Sequence, residues 1–163
     1  MEQKTKIDAE KGKQEITITR EFELPVDLLF KAYVEPEIVA QWMGTKVLRL
    51  ESKKYGSYTF ETSDPKGNVV FVASGVIHDF VPGVKITRTF EMENTPFAAQ
   101  LEFLTFEKLS EDSSRLTMHV IYKSVALRDQ ILALPFAYGI NMAHNRLQDI
   151  LGNTKISNHD KAD

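Results

Sequence analysis

A chain of 163 residues, 42% of them hydrophobic and 26% charged, is long enough to bury one core of its own and too apolar for disorder. Its formal net charge of −3 supplies no basic field for nucleic acid or an anionic membrane. It has no cysteine, which excludes disulfides, thiolate nucleophiles and thiolate metal sites.

Residues 1–13 are charged and lack the apolar run of a signal peptide or a membrane anchor, so the default expectation is a cytoplasmic protein without a membrane span. They read as a flexible tail, residues 14–152 as a single domain, and residues 153–163 as a second flexible tail. Glu15 to Phe22 alternates Ile16, Ile18, Arg20 and Phe22 against Thr17, Thr19 and Glu21, the pattern of a half-buried strand. Pro25 stops it and opens a short helix through Leu28, Leu29, Ala32 and Tyr33; Pro36 starts a second, closed by Gly44. Six further strands follow: Lys46 to Leu50, Ser57 to Thr62, Val69 to Phe80, Lys85 to Met92, Ala99 to Glu107 and Arg115 to Tyr122. The turns between the later strands, such as Asp64-Pro65-Lys66-Gly67-Asn68 and Val81-Pro82-Gly83, are short enough to imply antiparallel hairpins. The last element runs from Ser124 to Leu151. Pro135 should divide it into Val125 to Leu134 and Phe136 to Leu151, because the ring removes a helical hydrogen bond and clashes with the preceding turn. In the second piece Phe136, Ile140, Ala143, Leu147 and Ile150 form an apolar stripe that needs a sheet to lie on.

Residues 14 to 151 resemble the helix-grip domains of the START-like (SRPBCC, Bet v-like) superfamily. Within it, they are most similar to homologues of the activator of the heat-shock chaperone ATPase. The resemblance rests on Arg20-Glu21-Phe22-Glu23-Leu24-Pro25, Leu28-Leu29-Phe30-Lys31-Ala32-Tyr33, Glu35-Pro36-Glu37 and Gln41-Trp42-Met43-Gly44. It continues through Asp64-Pro65-Lys66-Gly67-Asn68, Ser74-Gly75-Val76, Thr105-Phe106-Glu107, Ser114-Arg115-Leu116-Thr117, Arg128-Asp129 and Asn145-Arg146-Leu147. It implies an α+β fold: a seven-stranded antiparallel sheet curved around a long C-terminal helix, two short helices after the first strand, and a cavity between helix and sheet. Two departures reshape that cavity. Phe136-Ala137-Tyr138-Gly139 stands where the family often has a Gly-Trp pair, and Trp42-Met43 where it has a doubled tryptophan.

Against that frame, Trp42 is either a wall of the cavity mouth or a core anchor for the short helices. Arg20 and Arg88 fall in the apolar phase of their strands. Each is either an anchor for an anionic head group or a structurally paired arginine, with Glu102 the nearest candidate partner. Tyr58, Phe60, Phe90, Phe106, Met118 and Tyr122 are candidate cavity linings or ordinary core. Tyr138 and Met142 are candidate linings from the helix side. His78, His119, His144 and His159 show no metal-ligand spacing, so neither metal nor cofactor is expected; His144 reads as solvated and His119 as outward-facing. No nucleophile elbow, phosphate loop or dinucleotide fingerprint is present, so the enzyme reading, a cyclase using the same cavity, has no motif behind it. The leading expectation is a non-enzymatic binder of a small, mainly apolar molecule, as a monomer or homodimer. The alternative, from the resemblance, is a co-chaperone-like module that contacts a chaperone in the stress response.

Overall fold

The computed structural model describes the backbone of residues 4–162 and the side chains of residues 4–153. Its strands are β1 (Lys6–Asp8), β2 (Glu15–Phe22), β3 (Lys46–Leu50), β4 (Ser57–Ser63), β5 (Val69–Val81), β6 (Lys85–Met92), β7 (Gln100–Ser110) and β8 (Ser113–Ile121). Its helices are α1 (Val26–Val34), α2 (Pro36–Met43), α3 (Val125–Ala133) and α4 (Phe136–Ala162). The strands form one antiparallel sheet in the order β1-β2-β8-β7-β6-β5-β4-β3. From β3 to β8 the chain is an uninterrupted meander, and β2 closes it by pairing with β8, Ile18 opposite Met118. Register shifts in β3, β4, β5 and β7 bend the sheet.

The alternation anticipated for β2 is observed: Ile16, Ile18, Arg20 and Phe22 are buried, as are Ser114, Leu116, Met118 and Val120 on β8. These residues share the inner face with Glu102, Leu104 and Phe106 of β7. On the outer face Phe103 stacks on His119 at 5.8 Å, and His119 Nε2 lies 3.1 Å from Glu15 Oε2, so His119 does face outward. Gly44 caps α2 in the left-handed conformation (φ 63°), freeing the chain to reverse into β3. Gly75 has a different reason. A Cβ there would lie 2.6 Å from the Tyr58 hydroxyl, which crosses β5 to donate to Thr89 O.

Pro135 separates α3 from α4, as expected. Ser124 caps α3 by accepting from Leu127 N at 3.0 Å, and Leu134 is already extended at ψ 166°. The sheet has eight strands rather than seven. The extra strand, β1, lies in the stretch read as an N-terminal tail: three residues are too short to show alternation, but they pair with β2 and half-bury Ile7. At the other end α4 continues to Ala162, through the stretch read as a C-terminal tail. That stretch has no apolar stripe, but after Pro135 no proline interrupts the backbone hydrogen bonds. Among the described residues no helix is long and apolar enough to cross a membrane.

Leu147 and Leu151 are the deepest apolar contacts of α4, at 0% and 2% exposure, with Ile140, Ala143 and Ile150 packed beside the same core. Leu147→Ala should therefore lower unfolding free energy by about 3 kcal/mol in urea titration, the cost of an unfilled buried site. A loss below about 1 kcal/mol would show that α4 does not hold the sheet.

Candidate ligand cavity

The inner face of β6, β7 and β8 does not meet α4 along its whole length. Between them lies a cavity of about 550 Å³. Its floor is Arg88, Phe90 and Met92 of β6, Gln100 and Glu102 of β7, and Met118 and Val120 of β8, with Ile18, Phe71 and Tyr122 beside them. Its roof is Pro135, Phe136, Gly139, Ile140, Ala143 and His144, and Tyr33, Trp42 and Met43 close the end under the short helices. A second hollow of about 450 Å³, reaching Phe97, Ala98, Ile131 and Leu134, shares Phe90, Met92, Gln100, Pro135 and Phe136 with it. The two hollows meet at the Pro135 break.

The walls are apolar apart from one cluster. Antiparallel register sets Arg88 opposite Glu102, and Arg88 donates from Nε to Glu102 Oε1 at 2.9 Å. Gln100, two residues away on the same face, donates to Glu102 Oε2 at 2.7 Å. The guanidinium carbon of Arg88 lies 5.3 Å from the Tyr58 ring centroid, so an aromatic face supports the cation from outside the cavity. The Tyr33 hydroxyl is buried and meets no hydrogen-bond partner. Among the described residues no group of three or more histidine, aspartate or glutamate side chains is placed to hold a metal ion.

A family model described as "Activator of Hsp90 ATPase homolog 1-like protein" matches residues 23–152. The chain belongs to this family. Solved structures agree on the fold. A Rhodobacter sphaeroides protein superposes with a TM-score of 0.83 at 18% identity, covering 92% of this chain and 99% of that one. A Mycobacterium smegmatis protein gives 0.80 at 20% identity, covering 91% and 96%, and one from Staphylococcus epidermidis 0.76 at 20%, covering 89% and 93%. Identities this low carry the fold alone. The curated proteins include no significant match. The resemblance seen in the sequence is thus the right one, and the architecture is the helix grip of the Activator of Hsp90 ATPase homolog 1-like family.

In this family member the candidate site residues separate into two groups. Trp42, Arg88, Phe90, Met118 and Tyr122 line the cavity together. Trp42 is also an anchor, since its Nε1 donates to Ala32 O at 2.6 Å and locks α2 onto α1. The others stand elsewhere. Tyr58 and Phe60 pair behind the wall at 5.0 Å, and Phe106 packs among Phe30 and Tyr33 in the core at 4.9 and 5.6 Å. Arg20 is held by Asn141 Oδ1 at 3.2 Å and Asn145 Oδ1 at 2.9 Å, outside the cavity lining. Tyr138 and Met142 are 71% and 38% exposed. They follow Phe136 and Ile140 by two residues, about 200° around the helix, and so point away from the roof. His144 is 1% exposed rather than solvated, because Thr5, ahead of β1, covers it with a hydroxyl 2.7 Å from Nδ1 and Phe22 meets its ring edge-on at 5.6 Å. His159 lies outside the described side chains. Gln100 and Met92 were absent from the candidates although they share phase with Glu102 and Phe90, a signal present in the sequence.

Burial holds the phenols and the imidazole at and around the site neutral. It pushes the phenols of Tyr33, Tyr58 and Tyr122 well above the ordinary tyrosine range. Burial, and after it the positive Arg20, lowers His144 to about 3. The cavity therefore offers apolar contact and hydrogen bonds.

Two measurements follow from these environments. Removing one partner of the ion pair, by Arg88→Met or Glu102→Leu, should cost about 3 kcal/mol of stability in chemical denaturation, while the double variant loses less than either. Additive losses would show that the two charges are not coupled. The unfolded chain protonates His144 below its ordinary pKa of 6.5, whereas the folded chain does so only near 3. The unfolded state thus binds more protons inside that window, and stability falls as pH falls through it, by about 1.4 kcal/mol between about pH 7.5 and 5.5. His144→Leu should flatten that slope in urea midpoints taken at the two pH values; an unchanged slope would assign the loss to other groups.

Proposed function

We propose that this protein is a non-enzymatic binding domain that holds a small, mainly apolar ligand between α4 and the sheet, with Arg88 at its polar end. The observation behind this reading is the cavity itself: a half-open space of about 550 Å³ between helix and sheet, walled by Phe90, Met92, Met118, Phe136 and Ile140. Ligand sites fall in the range of about 300–1,000 Å³. Arg88, Glu102 and Gln100 gather charged and hydrogen-bonding groups at one place in a mainly apolar wall, as a site that orients a ligand requires.

A second reading, an interaction module of the co-chaperone type, draws on the family match. On that reading the working surface is exposed rather than internal, and the apolar side chains of Leu134, Tyr138 and Met142 along the outer side of the Pro135 break would belong to it.

Ala143→Phe separates the two, because it places a ring in the cavity from the roof and leaves those exposed residues untouched. Native mass spectrometry of the purified protein should find an apolar species retained by the wild type and lost by the variant. The wild type should also gain about 2.7 kcal/mol of stability at a ligand concentration a hundred times Kd. Equal retention by both proteins would sink the cavity reading.

A further inference from the structure

The polar end of the cavity is not a free cation. Arg88 and Glu102 stand in direct register on β6 and β7, their side chains 10% and 6% exposed, and form an ion pair at 2.9 Å. Both carboxylate oxygens are engaged, Oε1 by Arg88 and Oε2 by Gln100, so the negative charge is fixed in place beside the positive one. The sum of the two is zero. One donor group remains open: among the described residues the hydrogen bonds of Arg88 run through Nε alone, which leaves its terminal nitrogens to the cavity. What this cluster lacks is an acceptor oxygen rather than a negative charge.

An anionic head group would enter a low-dielectric space in which Glu102 repels it nearly as strongly as Arg88 attracts it. It would lose its hydration without an uncompensated cation in return. A hydroxyl or carbonyl oxygen loses far less hydration and satisfies the same donors. Resting on the binding reading above, we infer that the cavity selects an uncharged ligand, an apolar chain or ring ending in a hydroxyl or carbonyl oxygen, over a carboxylate of the same size. The terminal nitrogens of Arg88 donate to that oxygen, and Glu102 holds Arg88 in place while excluding anions. Glu102 is thus a specificity residue, although its oxygens are already occupied by protein donors.

Trp42, the single tryptophan of the chain, lines the cavity and reports on its contents. Its fluorescence should be titrated with 1-octanol, 2-octanone and octanoate, which share one chain length and differ in head group. At about pH 7.5 the alcohol and the ketone should bind at least about tenfold more tightly than octanoate. Glu102→Gln keeps an acceptor for Arg88 and removes the charge; it should raise the affinity for octanoate relative to 2-octanone by about tenfold or more. Should that variant fail to fold by circular dichroism, the wild type carries the test alone. Octanoate binding should strengthen about twofold or more as pH falls to about 5.5, where roughly a tenth of it is the neutral acid, while octanol binding stays level. Octanoate binding as tightly as octanol at about pH 7.5, or showing no gain on acidification, would overturn the head-group assignment and leave the binding reading intact. No saturable response to any of the three would overturn the binding reading and this inference with it.

Discussion

The contact between α4 and the inner face of the sheet governs the rest of the molecule, because it is made unevenly. Around Leu147 and Leu151 the helix is pressed onto the core and solvent is excluded. Toward Phe136 and Ile140 the same helix stands off, and the space it leaves is the cavity. Pro135 is the cause at that end. It cannot continue α3 into α4, so the chain turns at Leu134 and enters α4 without the constraint of one continuous helix lying flat on the sheet. One end supplies stability and the other supplies room.

That division explains why an ion pair can sit in the core. A buried Arg–Glu pair seldom stabilises a fold relative to well-packed apolar residues of similar volume, since both charges lose their hydration. At Arg88 and Glu102 the loss is offset in several ways: a direct hydrogen bond, a second donor from Gln100, and the Tyr58 ring beside the guanidinium. Tyr58 reaches that place because Gly75 has no side chain to block it. A polar cluster supported by three strands and a reserved glycine is a costly way to fill a core, and an intelligible way to line a binding site.

How much of this was legible in the sequence depended on the range of the interaction. Alternation in β2, β6, β7 and β8 exposed the inner face directly, and it placed Arg88 and Glu102 there as candidate partners because both occupy apolar-phase positions on strands. The Pro135 break is a local backbone rule and was equally visible. What escaped detection depended on distant chain. β1 is three residues long and exists through its pairing with β2, and the burial of His144 is produced by Thr5, 139 residues away. Tyr138 and Met142 were misplaced for a different reason: a helical stripe can be read to within a turn, but the side of it that faces a cavity depends on how the helix is set on the sheet.

The same long-range contacts also position the cavity roof. The family match spans residues 23–152, so β1 and β2 lie ahead of it. From that leading segment Thr5 meets Asn141 and His144 of α4, and Arg20 of β2 meets Asn141 and Asn145. These bonds fasten the first strands to α4 within about one and a half turns after Ile140, at the edge of the cavity roof. The position of the roof is therefore set from both directions. Leu147 and Leu151 fix it from the C-terminal side by burial, and Thr5 and Arg20 fix it through polar contacts that the matched region does not contain. His144 belongs to both systems, lining the cavity while bonded to Thr5. Its neutral imidazole allows this, because a charged ring beside Arg20 would push apart the elements that the Thr5 contact holds together.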